Sequence, residues 1–311
     1  MVKFTVKVNK TEYDISELVS KVSYSDGVND GCSKLEFSYI SEDINVTNGS
    51  VVSFVYNNDK IFYGYVFKVS RNKGKEISCI AYDQLRYCKA RDTIIISGDT
   101  VTSLINKMCS QFKLKKGIIA ASDYKLATDI KDNATWLDII YSAIEETKKN
   151  KGKKYILRDE YGSICLRDIE DLKLGLILGD DSYAYDYNFS KSIDGEFYNQ
   201  IKIGLNDNNS MNQYVVEKDT KSISKYGLLQ YFETADNTNR SKAKAQAEVL
   251  LEQYNKEAET LSLSCLGDSR IRAGSGFYGR IEDIAYDKRL IVKSVVHKYL
   301  PVHTMEVEAM L

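Results

Sequence analysis

The chain has 311 residues but only one proline, Pro301, where an average chain of that length holds roughly 15. Without proline to interrupt them, strand edges stay free to pair. Histidine is as scarce: His297 and His303 are the only two, which leaves almost no material for a His-centred active site. No apolar run approaches the ~18–20 residues of a membrane-spanning helix; Thr93–Ser97 and Leu174–Leu178 are among the longest. No membrane span is expected. The opening, MVKFTVKVNKTEYDI, alternates apolar and polar residues and lacks the apolar core of a signal peptide, so export by the usual route is not expected. Neither sign of charge dominates, with 43 Lys+Arg against 44 Asp+Glu. A free-standing nucleic-acid binder would show a basic excess. The six cysteines (Cys32, Cys79, Cys88, Cys109, Cys165, Cys265) are scattered, with no CxxC and no Cys/His cluster. Reduced core thiols in a reducing cytoplasm are expected.

Motifs that carry chemistry are also missing. There is no Gly-x-Ser-x-Gly elbow and no His-Glu-x-x-His helix. Leu172–Asp181 holds Gly175 and Gly179 but not the Lys-Ser/Thr of a phosphate loop, and reads as a linker or strand end. The acidic pairs Glu145-Glu146, Asp159-Glu160, Asp180-Asp181 and Glu282-Asp283 read as solvated. Asp159-Glu160-Tyr161-Gly162 is hairpin chemistry. The two histidines flank Pro301 and read as surface or hairpin-end residues, with no zinc-ligand spacing around them. Gly267, Gly274, Gly276 and Gly279 around Arg270 and Arg272 read as tight turns. The run Lys148–Lys154 suits the C-terminal end of a helix. No catalytic residue, metal ligand or cofactor-binding residue is assigned.

What is abundant is tyrosine: 23 Tyr against 10 Phe and one Trp. Tyrosine favours strands with one wet or shared face, and points to a β-rich scaffold or binding protein. Val2, Phe4, Val6 and Val8 alternate with polar residues at the period of a half-buried strand. Leu35–Tyr39, Val51–Tyr56 and Ile61–Val69 are further strands, with hairpin connectors at Asn57-Asn58-Asp59 and Arg71–Lys75. Lys60–Val69 is apolar on both faces, with Phe62, Gly64 and Val66 opposing Ile61, Tyr63 and Tyr65. It is either a central strand or one whose outer face meets another subunit, and Tyr63, Tyr65 and Phe67 are the candidate subunit or partner contacts.

The period then changes. Val101, Leu104, Ile105, Met108 and Phe112 stripe a helix capped by Asp99 or Thr100. Trp136, Ile139, Ile140, Ala143 and Ile144 stripe a second, with Asp132 or Asn133 ahead as cap. A hairpin follows, Tyr155–Arg158 with Ser163–Arg167. Strands return at Tyr198–Ile203 and Gln213–Glu217, a helix runs from about Thr238 to Glu259, and Thr260–Leu266, Gly276–Ile281, Leu290–Val296 and Met305–Ala309 are strands. The expected class is α+β and β-rich: two small antiparallel β-barrel-like domains, an intervening α/β domain, and a helical insertion in the C-terminal part. The boundaries fall at residues 1–92, 93–178 and 179–311, with the helix at about 238–259. No internal repeat is visible.

Ordered blocks of the chain resemble the XkdQ-like, or YqbQ-like, hub proteins of contractile phage tails and tail-like particles. They are Ile61–Val69 with AYDQLRYCKARDT (Ala81–Thr93), then Asn133–Asp168, then YGLLQYFE (Tyr226–Glu233) with the Ala-rich helix and ETLSLSCLGDSRIRAG (Glu259–Gly274), and finally VKSVVHKY (Val292–Tyr299) with HTMEVEAML. Asp180–Ser222 carries little of the likeness. The resemblance implies a structural baseplate hub without enzymatic activity, distantly similar to the late-control-protein hubs of other contractile tails. Such hubs are homotrimers whose two barrel-like domains per chain make a ring of six similar units between a sixfold tail tube and a threefold spike. It implies as partners the chain itself, the central spike, tail tube and tape-measure proteins and the baseplate wedge, and neither a membrane nor sequence-specific nucleic acid. It also implies assembly in the bacterial cytoplasm before incorporation into the particle; for such a ring the net charge of −1 leads to the expectation of neutral or acidic lumen walls. Two other classes stand beside it: a tail-associated peptidoglycan hydrolase and a tyrosine-rich carbohydrate-binding adhesin.

Overall fold

Alternating side chains decide the N-terminal architecture. In the computed structural model, which describes residues 2–41, 43–180, 182–207, 210–236 and 240–310, seven strands precede the α/β part. They are β1 (Val2–Val8), β2 (Thr11–Asp14), β3 (Val19–Gly27), β4 (Lys34–Ile40), β5 (Val51–Tyr56), β6 (Asp59–Arg71) and β7 (Glu76–Tyr82). They neighbour one another in the order β3-β4-β7-β6-β5-β1-β2, all antiparallel. Phe4, Phe37 and Phe54 meet inside at centroid distances of 4.7 and 5.3 Å from Phe4. The β5–β6 turn is Asn57-Asn58, both at positive φ (49° and 72°), the backbone of a tight hairpin that asparagine tolerates.

The α/β part follows as β8 (Arg91–Ile96), α1 (Val101–Gln111), β9 (Lys116–Ile119), β10 (Asp129–Thr135), α2 (Trp136–Lys151), β11 (Tyr155–Asp159) and β12 (Ile164–Asp168). The apolar stripes of α1 and α2 share one core with Tyr155, Leu157, Ile164 and Leu166. Thr100 caps α1 in a reciprocal capping box with Ser103. The cap of α2 is Thr135, whose Oγ1 accepts from the Asp138 amide at 3.1 Å, and not Asp132 or Asn133. Those two residues are taken up by β10, which pairs with β8 across a bulge where Asn133 has φ 49°. Gly152, at φ 70°, ends α2 as a left-handed cap.

The chain continues through β13 (Lys173–Gly179) and β14 (Ala184–Ser192). The stretch Leu172–Asp181, read above as a linker or strand end, thus holds a whole strand, β13. Next come β15 (Gln200–Asp207), β16 (Ser210–Lys218), α3 (Thr220–Tyr226), β17 (Gln230–Asp236) and α4 (Arg240–Tyr254). The last strands are β18 (Ala258–Leu266), β19 (Gly276–Ile281), β20 (Tyr286–Lys298) and β21 (Thr304–Met310). Strand β20 is the seam. Its first half pairs with β19, which in turn pairs in parallel with β13; its second half pairs with β21 and with β3. One sheet therefore runs without a break from the C-terminal strands into the N-terminal ones, and Tyr299, just past β20, lies 4.9 Å from Phe54 in the N-terminal core.

By compactness the chain divides into two units, residues 1–188 with 261–311, and residues 189–260. In the second, β15 pairs with β16 antiparallel and with β17 parallel, and α4 lays Ala243 and Ala247 on Ile201, Ile203, Leu205 and Val215. The expected helix start at Thr238 lies outside the described residues. The helix ends at Tyr254, short of Glu259, because Ala258 onward enters β18. The Tyr254 ring is fixed between Tyr198 and Tyr231 at 5.6 and 5.3 Å. The fold is α+β and β-rich, as the sequence pattern implies.

Candidate interaction surface

Strand β6 has two working faces. Phe62, Gly64 and Val66 are buried in the N-terminal core, while Tyr63, Tyr65 and Phe67 stand half-buried on the other side. The structure extends these three into a continuous aromatic strip. Tyr161 lies 5.8 Å from Tyr63, Tyr63 is 6.4 Å from Tyr65, Tyr65 is 5.7 Å from Tyr87, Tyr87 is 5.9 Å from Phe67, and Phe67 is 5.6 Å from Tyr82. The rings meet tilted or edge-on, the arrangement their quadrupoles favour at about 0.5–1.5 kcal/mol per pair. The Arg86 guanidinium stands 5.2 Å over Phe67, and Lys60 stands 5.3 Å over Tyr161. At one end the β11–β12 turn presses down: Tyr161 hydrogen-bonds Ser53 at 2.6 Å, and a side chain on Gly162 would meet the Tyr63 ring at 2.7 Å. At the other, Tyr87 rides on the 3-10 turn Gln84–Lys89 and is 40% exposed. Loss of hydration on packing pushes the phenols of Tyr63 and Tyr87 above their ordinary range. Ring faces, hydroxyls and a guanidinium together are the chemistry of protein contact surfaces. Tyr82, Tyr87 and Arg86 were legible only as members of the block AYDQLRYCKARDT, and Tyr161 only as a hairpin residue.

A second constellation lies where the strand regions meet. Arg272 donates through Nε and Nη2 to Asp26 at 3.0 and 2.8 Å and through Nη1 to the Asp159 carbonyl at 3.0 Å. It also stands over the Tyr24 ring at 5.6 Å. Asn29 clips the end of β3 to β11, donating to the Tyr155 carbonyl and accepting from the Leu157 amide. The tight-turn reading of this segment hid a largely buried cation; burial disfavours its charge, but Asp26, Tyr24 and Asp159 together outweigh that and raise the Arg272 pKa. Asp159 is buried, not solvated: Oδ1 accepts from the Gly162 amide at 2.6 Å and Oδ2 has no partner. Glu160 pairs with Arg158 and Arg167. Asp83 accepts from the amide and hydroxyl of Ser33 and from the Leu85 amide.

The histidines do flank the β20–β21 turn, but His297 is 1% exposed. Its Nε2 lies 2.8 Å from the Ile271 carbonyl, which only accepts, so Nε2 carries the proton. Nδ1 then accepts from His303 Nε2 at 3.0 Å. Burial lowers both imidazoles to about 4, and the pair is neutral. The cysteines are free, and burial pushes Cys32 up to about 11 and Cys79 to about 12, away from nucleophilic thiolate. Among the described residues no group of three or more His, Cys, Asp or Glu is placed to hold a metal ion.

Residues 22–310, which include the strip and the joint around Arg272, match the family model described as YQBQ-like. The chain belongs to the YQBQ-like family. Its relatives include the phage-like element PBSX protein XkdQ of Bacillus subtilis strain 168, 27% identical over 268 residues that make up 85% of this chain and 82% of XkdQ. Among solved structures, the YQBQ-like chain resembles the 43 kDa tail protein of prophage MuSo2 from Shewanella oneidensis, with a TM-score of 0.73, 10% identity, and 99% and 98% of the two chains covered. It also resembles an Escherichia coli component of the type VI secretion system that is described as structurally similar to the T4 tail proteins gp27 and gp5, with a TM-score of 0.60, 10% identity, and 100% and 76% covered. At such low identity these structures establish a shared fold, and that fold is one of phage tail proteins.

The buried acid gives the YQBQ-like joint a pH signature. Burial first, and the Asp83 carboxylate second, raise Asp159 to about 8. In the unfolded chain it titrates near 3.8, so the folded state holds its proton while the unfolded state sheds it. This contribution is intact below about pH 4 and is lost progressively as pH rises to about 8. Asp159→Asn keeps the acceptor for the Gly162 amide and removes the titration. The variant is expected to gain on the wild type as pH rises from 4 to 8, by at most about 1.4 kcal/mol per pH unit, and to run parallel to it above. Denaturant midpoints across that range measure the difference; a constant offset would refute the buried-acid assignment.

Proposed function

We propose that this chain is the structural hub of a contractile tail or tail-like particle baseplate, a homotrimer that adapts a sixfold tube to a threefold spike. The observation that carries this reading is the unbroken sheet through β3 and β20, which joins an antiparallel and a largely antiparallel strand system in one chain. Three such chains offer six strand systems to a sixfold partner and three equivalent positions to a threefold one. Residues 1–92 and 179–311 would supply the two tube-like domains and 93–178 the part between them. A phage-like element relative, a prophage tail protein and a type VI secretion component of related fold support the same reading. The tail tube, spike, tape-measure and wedge proteins are the partners, assembly takes place in the bacterial cytoplasm, and the role is architectural, not catalytic.

A closed ring of three needs two different contact surfaces per chain, and the strip of Tyr63, Tyr65 and Phe67, extended by Tyr82 and Tyr87, is assigned to one of them. Native mass of the purified protein, alone and with its spike protein, tests the trimer. A species at three times the 35.3 kDa chain mass is expected, and a chain that stays monomeric in both conditions would sink the reading. Tyr87→Ala removes the most exposed ring. It is expected to weaken trimerisation about tenfold or more, the effect of a contact worth over ~1.4 kcal/mol, with the unfolding midpoint of the monomer little changed. Unaltered trimerisation would move the contact elsewhere.

A further inference from the structure

The unit of residues 189–260 uses only one face of its three-stranded sheet to build a core. Alternation along β15 turns Ile201, Ile203 and Leu205 toward α4. The residues between them face away, and the registers set them in cross-strand rows. Val216, Lys202 and Phe232 form one row, and Tyr214, Gly204 and Thr234 the next. Neither row holds a carboxylate. The acids Glu217 and Glu233 belong to the other face, where Lys244 and Gln246 of α4 reach them at 4.0 and 2.6 Å.

This outward face is aromatic at its centre and polar at its edge. Phe232, Val216 and Tyr214 are 49%, 44% and 42% exposed. Gly204 leaves a gap between the two rings, and Phe232 leans over it: a Cβ on Gly204 would lie 3.4 Å from the tip of that ring. Covering a glycine in this way repairs the sheet, but it does not require the ring to stay half in water. Tyr214 lies on the strand across β15, two strand spacings or ~10 Å from Phe232, and the Lys202 ammonium stands 4.1 Å from its ring centre. In the adjoining row, Gln200 donates through Nε2 to Gln230 Oε1 at 2.7 Å. That bond fixes both amides and leaves the Gln200 carbonyl as an acceptor and the Gln230 amide as a donor. Thr234 adds a hydroxyl.

Size selects the occupant. With strands ~4.8 Å apart and ~3.3 Å per residue, the face from Gln200 to Gly204 measures about 15 Å by 15 Å. A stable protein contact buries about 800 Å² on each partner, roughly three to four times what this face offers. A sugar chain of two or three rings matches it. The C–H side of a pyranose lies against an aromatic ring, and its hydroxyls exchange hydrogen bonds with amides, hydroxyls and an ammonium at the rim. We propose that this face of β15, β16 and β17 is an oligosaccharide platform, with one sugar ring on Phe232, its neighbour toward Tyr214, and Lys202, Gln200, Gln230 and Thr234 bonding the hydroxyls. The inference needs only this unit of a single chain and stands apart from the trimeric reading.

Saturation-transfer NMR on the full-length protein tests it, with chitotetraose, cellotetraose and maltotetraose as probes. At least one is expected to bind with a Kd on the order of 1 mM, the affinity of a shallow site. Phe232→Ala is expected to weaken that binding at least tenfold and Phe232→Trp to retain it. Phe232 lies outside the core of the unit, so the unfolding midpoint is expected to stay in place. Gln230→Ala, at the exposed rim, supplies a second variant and is expected to cost about threefold, the effect of one neutral hydrogen bond. Val249→Ala, 63% exposed on α4, is expected to leave binding unchanged. No transfer to any of the three sugars would overturn the proposal, as would binding that survives both Phe232→Ala and Gln230→Ala. Self-association abolished by Phe232→Ala, without any sugar effect, would give the face to a second copy of the chain instead.

Discussion

Arg272→Ala is expected to lower the free energy of unfolding by about 3–5 kcal/mol, the cost of removing one partner from a buried ion pair. The Asp26 side chain is 6% exposed and that of Arg272 18%, so water does little to screen either charge once the other is gone. The substitution also deletes the donor to the Asp159 carbonyl and the cation over Tyr24. The three groups come from β3, from β11 and from the segment before β19, so the loss falls on the joint between them and not on a single strand. Lysine does not repair it, because the two bonds to Asp26 use the fixed fork of a guanidinium. An uncharged replacement of both partners, Arg272→Met with Asp26→Leu, is expected to be less damaging than Arg272→Ala alone, since it leaves no orphaned charge. Urea denaturation of the three proteins decides this. A single-variant loss below about 1 kcal/mol, the range of an exposed pair, would show that the pair is hydrated in solution.

Gly64→Ala is expected to be the most costly single methyl in the N-terminal strands. The position lies on the core face of β6, and an added Cβ would sit 2.2 Å from the Tyr82 carbonyl oxygen and 2.6 Å from the Phe62 ring. The ring can turn aside. The carbonyl cannot, because β7 is held between β6 and β4, so the strands must separate. Overpacking of this kind costs about 1–3 kcal/mol, and more where backbone must shift. The displacement falls where Tyr65 pairs with Tyr82, so the strip is disturbed along with the core. A fall in the unfolding midpoint accompanied by weaker trimerisation is expected. A destabilised chain that still trimerises at wild-type concentrations would separate the strip from the subunit contact.

Much of the fold was legible because strands and helices leave periods in the sequence. The double-faced pattern of Lys60–Val69 separates Phe62, Gly64 and Val66 from Tyr63 and Tyr65, since alternation is local and needs no partner. It misplaces Ile61, which alternation sets with the tyrosines and which the irregular β5–β6 pairing turns into the same core as Phe62. Thr100 was legible as a cap for the same reason. The cap of α2 was not: Asp132 and Asn133 are good capping types, but β8, forty positions away, draws them into a strand. Leu172–Asp181 was legible only as a linker or strand end, because β19, the parallel partner of β13, lies a hundred residues on. The joint was invisible because positions 26, 159 and 272 converge only in three dimensions. A lone arginine between glycines looks like a turn until its carboxylate arrives from the other end of the chain. The half of the strip contributed by Tyr82, Tyr87 and Tyr161 shares this limit, while the half on β6 does not.

The pairing of β3 with β20 also has a consequence in time. Ser23–Gly27 and Ser294–Lys298 are joined in register, yet a ribosome adding ~5–20 residues per second needs on the order of ten seconds to a minute to pass from one to the other. Throughout that interval the N-terminal strands have an open edge at β3. Unpaired edges invite pairing with other nascent chains, and charged or small polar side chains blunt them. Lys21, Ser23 and Ser25 stand along this edge on the face away from the core. The lysine and serines that face away from the core in the finished sheet thus also protect the half-made molecule on polysomes, where nascent copies of the chain emerge side by side.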